Sequence, residues 1–464
     1  MKEIYQKLLS DIPDYKEFLT VDEMNESSKI LAMKYPECVS LFEIGKSRND
    51  EPLYCLKIGN GSHVGLMFGC PHPNEPIGTM MLEYLSIKLA ENKELRESLD
   101  YTWYIVKVWD NDGYRLNENW IKGPYTLYNY SRNFFRPAGY NQVDWTFPVD
   151  YKELHFHNSI PETEAMMELI NKIKPEFIYS LHNAGFGGVY WYITSKTPEL
   201  YAEMREAANK QNIPLNLGEP EAPFCIQWAP AVYANLGIQE EYDYLEKYGV
   251  KDVAKYMICG TCSAEYAKDL CDAFTLLTEL PYFYDKRIDD MSDAKILRKD
   301  AVLASLDWDE KASKFIMDTL DSTKEYTRKD NPFIQALKAF SGEETKMSND
   351  TTRKMVEVNP DYLRIASVAE EFDNLYVTKF YKLLSYGMLI RAHEYELDKM
   401  IESNESNQEK KTALEKAIDI ATKEHKKLAD YLENAIDYEV IPIRKLISIQ
   451  LESGLLVAEY LKQK

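Results

Sequence analysis

The sequence predicts an α/β protein, with a mixed and largely parallel sheet flanked by helices, followed by an all-α C-terminal domain. Two observations carry that expectation. Up to about residue 290, short apolar runs that read as strands alternate with segments of helical spacing, which is the pattern of a largely parallel sheet. Beyond about residue 290 glycine becomes sparse and helix formers dominate. The expected division is therefore an α/β domain at 1–290 and a helical domain at 291–464.

The elements follow in chain order. "HVGLMFG" (63–69) is a short apolar run ending in Gly, as a buried strand does. "TMMLEYLSIKLAENKEL" then has helical spacing, and "YTWYIVKVW" (101–109) reads as a second strand. "PETEAMMELINKIK" predicts a helix that leads into the strand "EFIYSLH", and "AFTLLTELP" (273–281) is another strand. In the C-terminal half, 361–400 reads as long helix. Leu414, Ala417, Ile418, Ala421, His425, Leu428, Leu432 and Ala435 form one helical stripe. Ser406 and Glu409 precede it with capping-box spacing.

Composition narrows the function. The 464 residues carry 55 basic and 76 acidic side chains, a formal charge of −21. A polyanion would be repelled on average, which argues against nucleic-acid binding. The 7 cysteines are odd in number and scattered, so no disulfide framework is expected. "MKEIYQKLLSDIPDYKEFL" is amphipathic and lacks the apolar core of a signal peptide. No run reaches the ~18 apolar residues of a membrane span. These readings predict a cytoplasmic protein with no membrane partner.

The stretch "CPHPNEPIG" (70–78) holds His72 and Glu75 just past a predicted strand and at the start of a predicted helix. That spacing lets an imidazole and a carboxylate converge on one point, and a catalytic zinc site takes three protein ligands plus water. His182 also ends a predicted strand, and open α/β sheets bind ligands at the carboxyl ends of their strands. His63, His393 and His425 fit structural roles better, while His155 and His157 stay open as ligands or substrate contacts. The C-x-x-C of Cys259 and Cys262 reads as a pair of buried structural thiols, since a zinc ribbon needs a second pair. The "GFGG" after His182 lacks the context of a phosphate-binding loop.

From about residue 20 to 285 the chain resembles the M14 zinc carboxypeptidases. The match runs through "MNESSKILAMKYPECVSLFEIGKSRNDEPLYCLKIG", "CPHPNEP", "VWDNDGY", "SRNFFRP", "VDWTFP", "IPETEAMMELI", "KPEFIYSLHNAG" and "FTLLTELP", in the family's order. The resemblance implies one Zn²⁺ per chain held by His72, Glu75 and His182, with Glu279 as general base. It implies Arg132, with Arg136 as the alternative register, steadying the oxyanion. It implies Asp144 as acceptor for the first ligand histidine. The family's mobile tyrosine falls on Met257, next to Tyr256, with Tyr266 as a further candidate. Its pocket-floor position falls on Ala264, beside Glu265. "VDWTFP" is two residues shorter than the family's pattern and lacks the Asn and Arg that grip a terminal carboxylate.

The implied activity is zinc-dependent cleavage of a peptide bond, most naturally as a metallocarboxypeptidase acting on a peptide. "HPNEPIG" is also close to "HGNEPIG" of the succinylglutamate desuccinylase and aspartoacylase group, which makes a deacylase of N-acyl amino acids the alternative. A non-catalytic zinc-binding protein of the same fold is the third reading. The helical domain is open to roles as a lid, a homo-oligomer interface or a partner site.

Overall fold

The computed structural model describes residues 2–464. Its centre is a nine-stranded sheet. The strands are β1 (Val39–Lys46), β2 (Pro52–Ile58), β3 (His63–Gly69), β4 (Tyr101–Val106), β5 (Phe177–His182), β6 (Tyr190–Ile193), β7 (Gln227–Ala229), β8 (Val232–Ala234) and β9 (Phe274–Glu279). They lie in the order β1-β2-β4-β3-β5-β9-β6-β8-β7. The central four, β4, β3, β5 and β9, run parallel, and antiparallel strands flank them on both sides. The mixed, largely parallel sheet expected from the sequence is present.

Both faces of the central strands are buried, which is why they read as apolar runs rather than as alternating ones. On β5, Phe177, Tyr179 and Leu181 point to one core, and Ile178 joins Leu66, Phe68 and Val106 in the other. The second core is closed by helix Pro161–Ile173, through Met166, Leu169 and Ile170. The first is closed by α1 (Ile77–Glu91), α2 (Tyr201–Asn209) and a helix from the far end of the chain, Ile443–Leu461. That last helix seats Gly454 on the ring of Tyr179, where any Cβ would lie 2.6 Å from Cε1. The Tyr179 hydroxyl donates to the Gln450 carbonyl at 2.7 Å, and the Trp191 indole donates to Ser453 Oγ at 3.1 Å. Segments beyond residue 290 therefore do not form a block apart from the sheet. The terminal helix is one of the sheet's own walls.

The other late helices pack across the carboxyl ends of the strands. Helices α3 (Arg298–Thr323), α4 (Thr378–Glu402) and α5 (Gln408–Ala435) pack together, and α4 crosses the short helix Leu127–Asn133. Gly387 makes that crossing close, since a Cβ there would collide with the Ser131 carbonyl. Arg391 clamps the chain just beyond, donating to the carbonyls of Leu116, Asn133 and Phe134 at 2.7, 2.6 and 3.0 Å. His425 sits on the buried stripe of α5 and bonds Ser131 Oγ at 2.8 Å. Gly387→Ala is expected to lower stability by ~1–3 kcal/mol through overpacking, read as a shift in thermal melting.

Four local boundaries differ from the sequence reading, one of them the long helix read over 361–400, which is interrupted by a strand at Ile365–Ser367 and starts only at Val368. The helix that follows β3 stops at Glu91, because Asn92 leaves the helical region and caps a second helix by accepting the Leu95 N–H. β4 ends at Val106, after which Trp109 turns back so that its N–H reaches the Gly69 carbonyl. Asn407 rather than Ser406 caps α5, accepting the Lys410 N–H at 3.0 Å. Among the described residues no helix is long and apolar enough to cross a membrane.

Candidate functional site

β3, β5 and β9 end side by side, and the chemistry sits where they end. Gly69 closes β3 because its backbone runs against Thr79 N and Lys107 O, leaving no room for a side chain. The chain then makes a turn with Cys70 at φ 51°, and the Glu75 N–H returns to the His72 carbonyl at 3.1 Å. This turn aims His72 and Glu75 at His182, the last residue of β5. Gly78, at the start of α1, lies against Leu181 and lets the turn sit tight on β5.

One ligand atom each from His72, Glu75 and His182 falls within 4.8 Å of the others, and all three side chains are buried. Glu75 Oε2 is 3.2 Å from His182 Nδ1, and the two imidazole rings are 4.9 Å apart. The other nitrogen of His182 bonds Ser180 Oγ at 2.8 Å, which orients the ring. His72 Nδ1 is buried with no hydrogen-bond partner. Burial, with Arg136 and His182 beside it, holds that imidazole well below its ordinary pKa, in the neutral form a metal requires. An orphaned buried nitrogen beside a second imidazole and a carboxylate is the donor set of a catalytic zinc. The residues present fit the ion.

Asn183 locks the two halves of the cluster together. Its N–H donates to Glu75 Oε2 at 3.1 Å, and its side-chain oxygen accepts the Ile77 N–H at 3.0 Å. The Tyr282 hydroxyl donates to the Asn74 carbonyl at 2.8 Å and lies 3.1 Å from the same Asn183 oxygen. Glu279 ends β9 in direct register with His182, its Oε1 3.7 Å from His182 Nδ1. Burial, reinforced by Glu75 and Glu221, pushes its carboxyl well above the ordinary range, with Arg136 opposing.

The arginines fall in the reverse of the expected order. Arg136 reaches the cluster, 3.2 Å from Glu75 Oε1, whereas Arg132 pairs with Glu394 of α4. Helix Leu127–Asn133 ends between them, so Arg132 stays on its last turn facing α4 while Arg136 lies in the extended segment beyond. Asp144 also differs from expectation. Its Oδ1 accepts the Ser263 N–H at 2.7 Å, at the start of helix Ser263–Cys271, and the expected bond to His72 is not formed. Burial pushes this carboxyl up to about 6.

Two cavities meet at the cluster. The smaller, about 60 Å³, lies between His72, Arg136, Asp144, Trp145, Cys262 and Ala264. The larger, about 520 Å³, is walled by the cluster, by the loop around Asn216–Glu221 and by the helical segments. From the helical side Asp373, Tyr381, Lys382 and Ser385 face into it. Ala264 therefore borders the site. Tyr256, Glu265 and Tyr266 do not line either cavity. Glu265 accepts the Thr261 hydroxyl, and Tyr266 packs on Phe147 and accepts from Asn171 at 2.7 Å. Tyr256 stacks under Lys255, and Met257 is buried in a separate core. His155 and His157 share Asp150 on an exposed hairpin, and His63 pairs with Glu176. Cys259 and Cys262 are free thiols, and burial raises both.

Sequence reasoning missed Asn183, Glu221 and Tyr381. Asn183 stood next to a suspected ligand and was findable. Glu221, in "GEPEAP", and Tyr381, mid-helix, carry no local signal and join the site only through packing.

Residues 24–248 match the family model described as zinc carboxypeptidase (Peptidase_M14). Human mast cell carboxypeptidase A is 25% identical over 200 residues, 38% of this chain and 47% of that protein. The rat protein of the same name is 32% identical over 108 residues, 22% of this chain and 26% of that protein. The chain thus spans about half or less of the length of the curated relatives it matches. Carboxypeptidase A from Helicoverpa armigera aligns at a TM-score of 0.36 and 15% identity, covering 60% of this chain and 71% of that one. Bovine thrombin-activatable fibrinolysis inhibitor, solved with a tick carboxypeptidase inhibitor, aligns at 0.35 and 14%, covering 57% and 87%.

Proposed function

We propose that this chain, whose residues 24–248 carry the zinc carboxypeptidase match, is a zinc-dependent hydrolase of peptide bonds, of the metallocarboxypeptidase type. The observation that carries the reading is the convergence of His72, Glu75 and His182 at the strand ends with Glu279 in register beside them. Zinc bound there supplies Lewis acidity toward a water and a carbonyl. Glu279 takes the attacking water's proton on its carboxylate and returns it to the leaving amine. Its buried setting suits that work, because a carboxyl raised above the ordinary range is a stronger base. The Arg136 guanidinium, beside Glu75 at the cluster, is the fixed positive charge placed to steady developing negative charge on the carbonyl oxygen. Asn183 and Ser180 hold the ligands in place.

The test is hydrolysis of a peptide panel by the zinc-loaded chain, with N-acyl amino acids as the second arm. The roofed, 520 Å³ cavity favours small substrates and keeps the deacylase reading in view. Cleavage of acyl amino acids alone would select it. One bound zinc with no turnover in either arm would leave the binding-protein reading. The two arginines give a sharper check. Arg136→Ala should lower kcat by roughly 10²–10³-fold, as expected for a lost oxyanion donor. Arg132→Ala should keep kcat near wild type, since only its bond to Glu394 is lost. The free cysteines support a reducing, cytoplasmic setting for this activity.

A further inference from the structure

The charges that line the larger cavity can be accounted for one by one. Glu75 faces Arg136. Glu219 is held by Arg298, with Nε to Oε1 at 3.0 Å and Nη2 to Oε2 at 2.5 Å. Asp309 pairs with Lys382 at 2.9 Å, so neither charge is left over. Asp373 lies in a π-helical turn and is engaged there, accepting the Glu219 N–H at 2.8 Å, with burial pushing its carboxyl well above the ordinary range. Glu279 has its place as the proton carrier.

Glu221 is what remains. It is exposed to the space where the two cavities join, since it lines both. Its carboxylate accepts only phenol hydroxyls, from Tyr192 at 2.9 Å and Tyr190 at 3.4 Å, and no Lys, Arg or His pairs with it among the described residues. Its negative charge is felt across the site. After burial it is the leading influence that raises Tyr190, Tyr192 and Tyr381, and it adds to the rise at Glu279. The surrounding walls are aromatic. Tyr190 belongs to the sheet, and Tyr381 comes from α4 with 44% of its surface open. An unmatched anion among tyrosine rings is a receptor for an ammonium group.

We propose that the chamber takes a short substrate carrying an ammonium group, and that Glu221 is the residue that selects it. The volume fits a ligand of dipeptide to tripeptide size, and residues of helices α3 and α4 wall it on one side. The Arg298–Glu219 pair and Asp373 fix the loop that presents Glu221, so the helical segments position the selecting residue as well as roofing it. The ammonium can be the substrate's α-amino group or a lysine side chain. This inference rests on the peptidase reading for its substrate class, and its test is built to fail separately.

Binding is measured by calorimetry on the metal-free chain, where nothing is cleaved, using alanyl-alanine, N-acetyl-alanyl-alanine and N-acetyl-lysyl-alanine. At least one of the two ammonium-bearing peptides should bind on the order of tenfold more tightly than N-acetyl-alanyl-alanine, which lacks the ammonium, and which one does so names the source of the charge. Glu221→Gln should bring that ratio to within about twofold. Equal binding of N-acetyl-alanyl-alanine, absence of binding by all three, or a ratio preserved in Glu221→Gln overturns the proposal. Hydrolysis without charge preference removes this inference and leaves the peptidase; charge preference without hydrolysis removes the peptidase and leaves the receptor.

Discussion

Glu279→Gln is expected to bind zinc at the wild-type level and to lower kcat by roughly 10³-fold, the scale of a lost general base. The amide is nearly the same size and sits at the end of a strand whose ladder to β5 is made by backbone alone, so the fold should be untouched. It cannot take the proton that the carboxylate takes. The zinc content of the purified variant and its turnover on the best peptide of the panel are the two measurements. A variant that keeps more than about a tenth of wild-type kcat would remove Glu279 from the chemistry.

The metal cluster gives the second large effect, and it should be graded. His182→Ala removes a ligand and leaves Glu75 and His72 facing a gap. Zinc content after dialysis should fall to a small fraction of one per chain, and hydrolysis should fall with it. Ser180→Ala leaves every ligand in place and frees only the far nitrogen of His182. It should weaken zinc by roughly 10–100-fold, as loss of an outer partner does. Zinc titration by competition with a chromophoric chelator separates the two. Equal affinity in all three proteins would mean that the ion, where present, is bound elsewhere.

The sheet and the convergence of His72, Glu75 and His182 were legible because each has a local cause. Strands buried on both faces are mostly apolar, and β3, β5 and β9 are, with Ser180, Thr275 and Thr278 the polar residues inside them and His63, His182 and Glu279 at their ends. The ligands follow from where those strands stop, which a Gly, a turn and a terminal His mark directly. The order of the two arginines was not legible. Arg132 and Arg136 differ only in whether they lie on or beyond the last turn of one short helix, and that turn ends where α4 covers it. Asp144 was read as a partner for His72, yet the Ser263 N–H at the start of a helix captured it. The roof was hidden for a different reason. Amphipathic stripes say that α4 and α5 pack on something, but the partner, the helix Leu127–Asn133, is far away in sequence. The terminal helix looked like the end of a separate domain because nothing in its own pattern names Tyr179.

That terminal helix has a consequence for biosynthesis. The strand that ends in His182 has one of its two faces covered by residues made about 270 positions later, through Gln450 and Gly454. While the ribosome is still translating the intervening helices, Tyr179 and its neighbours stand uncovered, and the centre they support is unfinished.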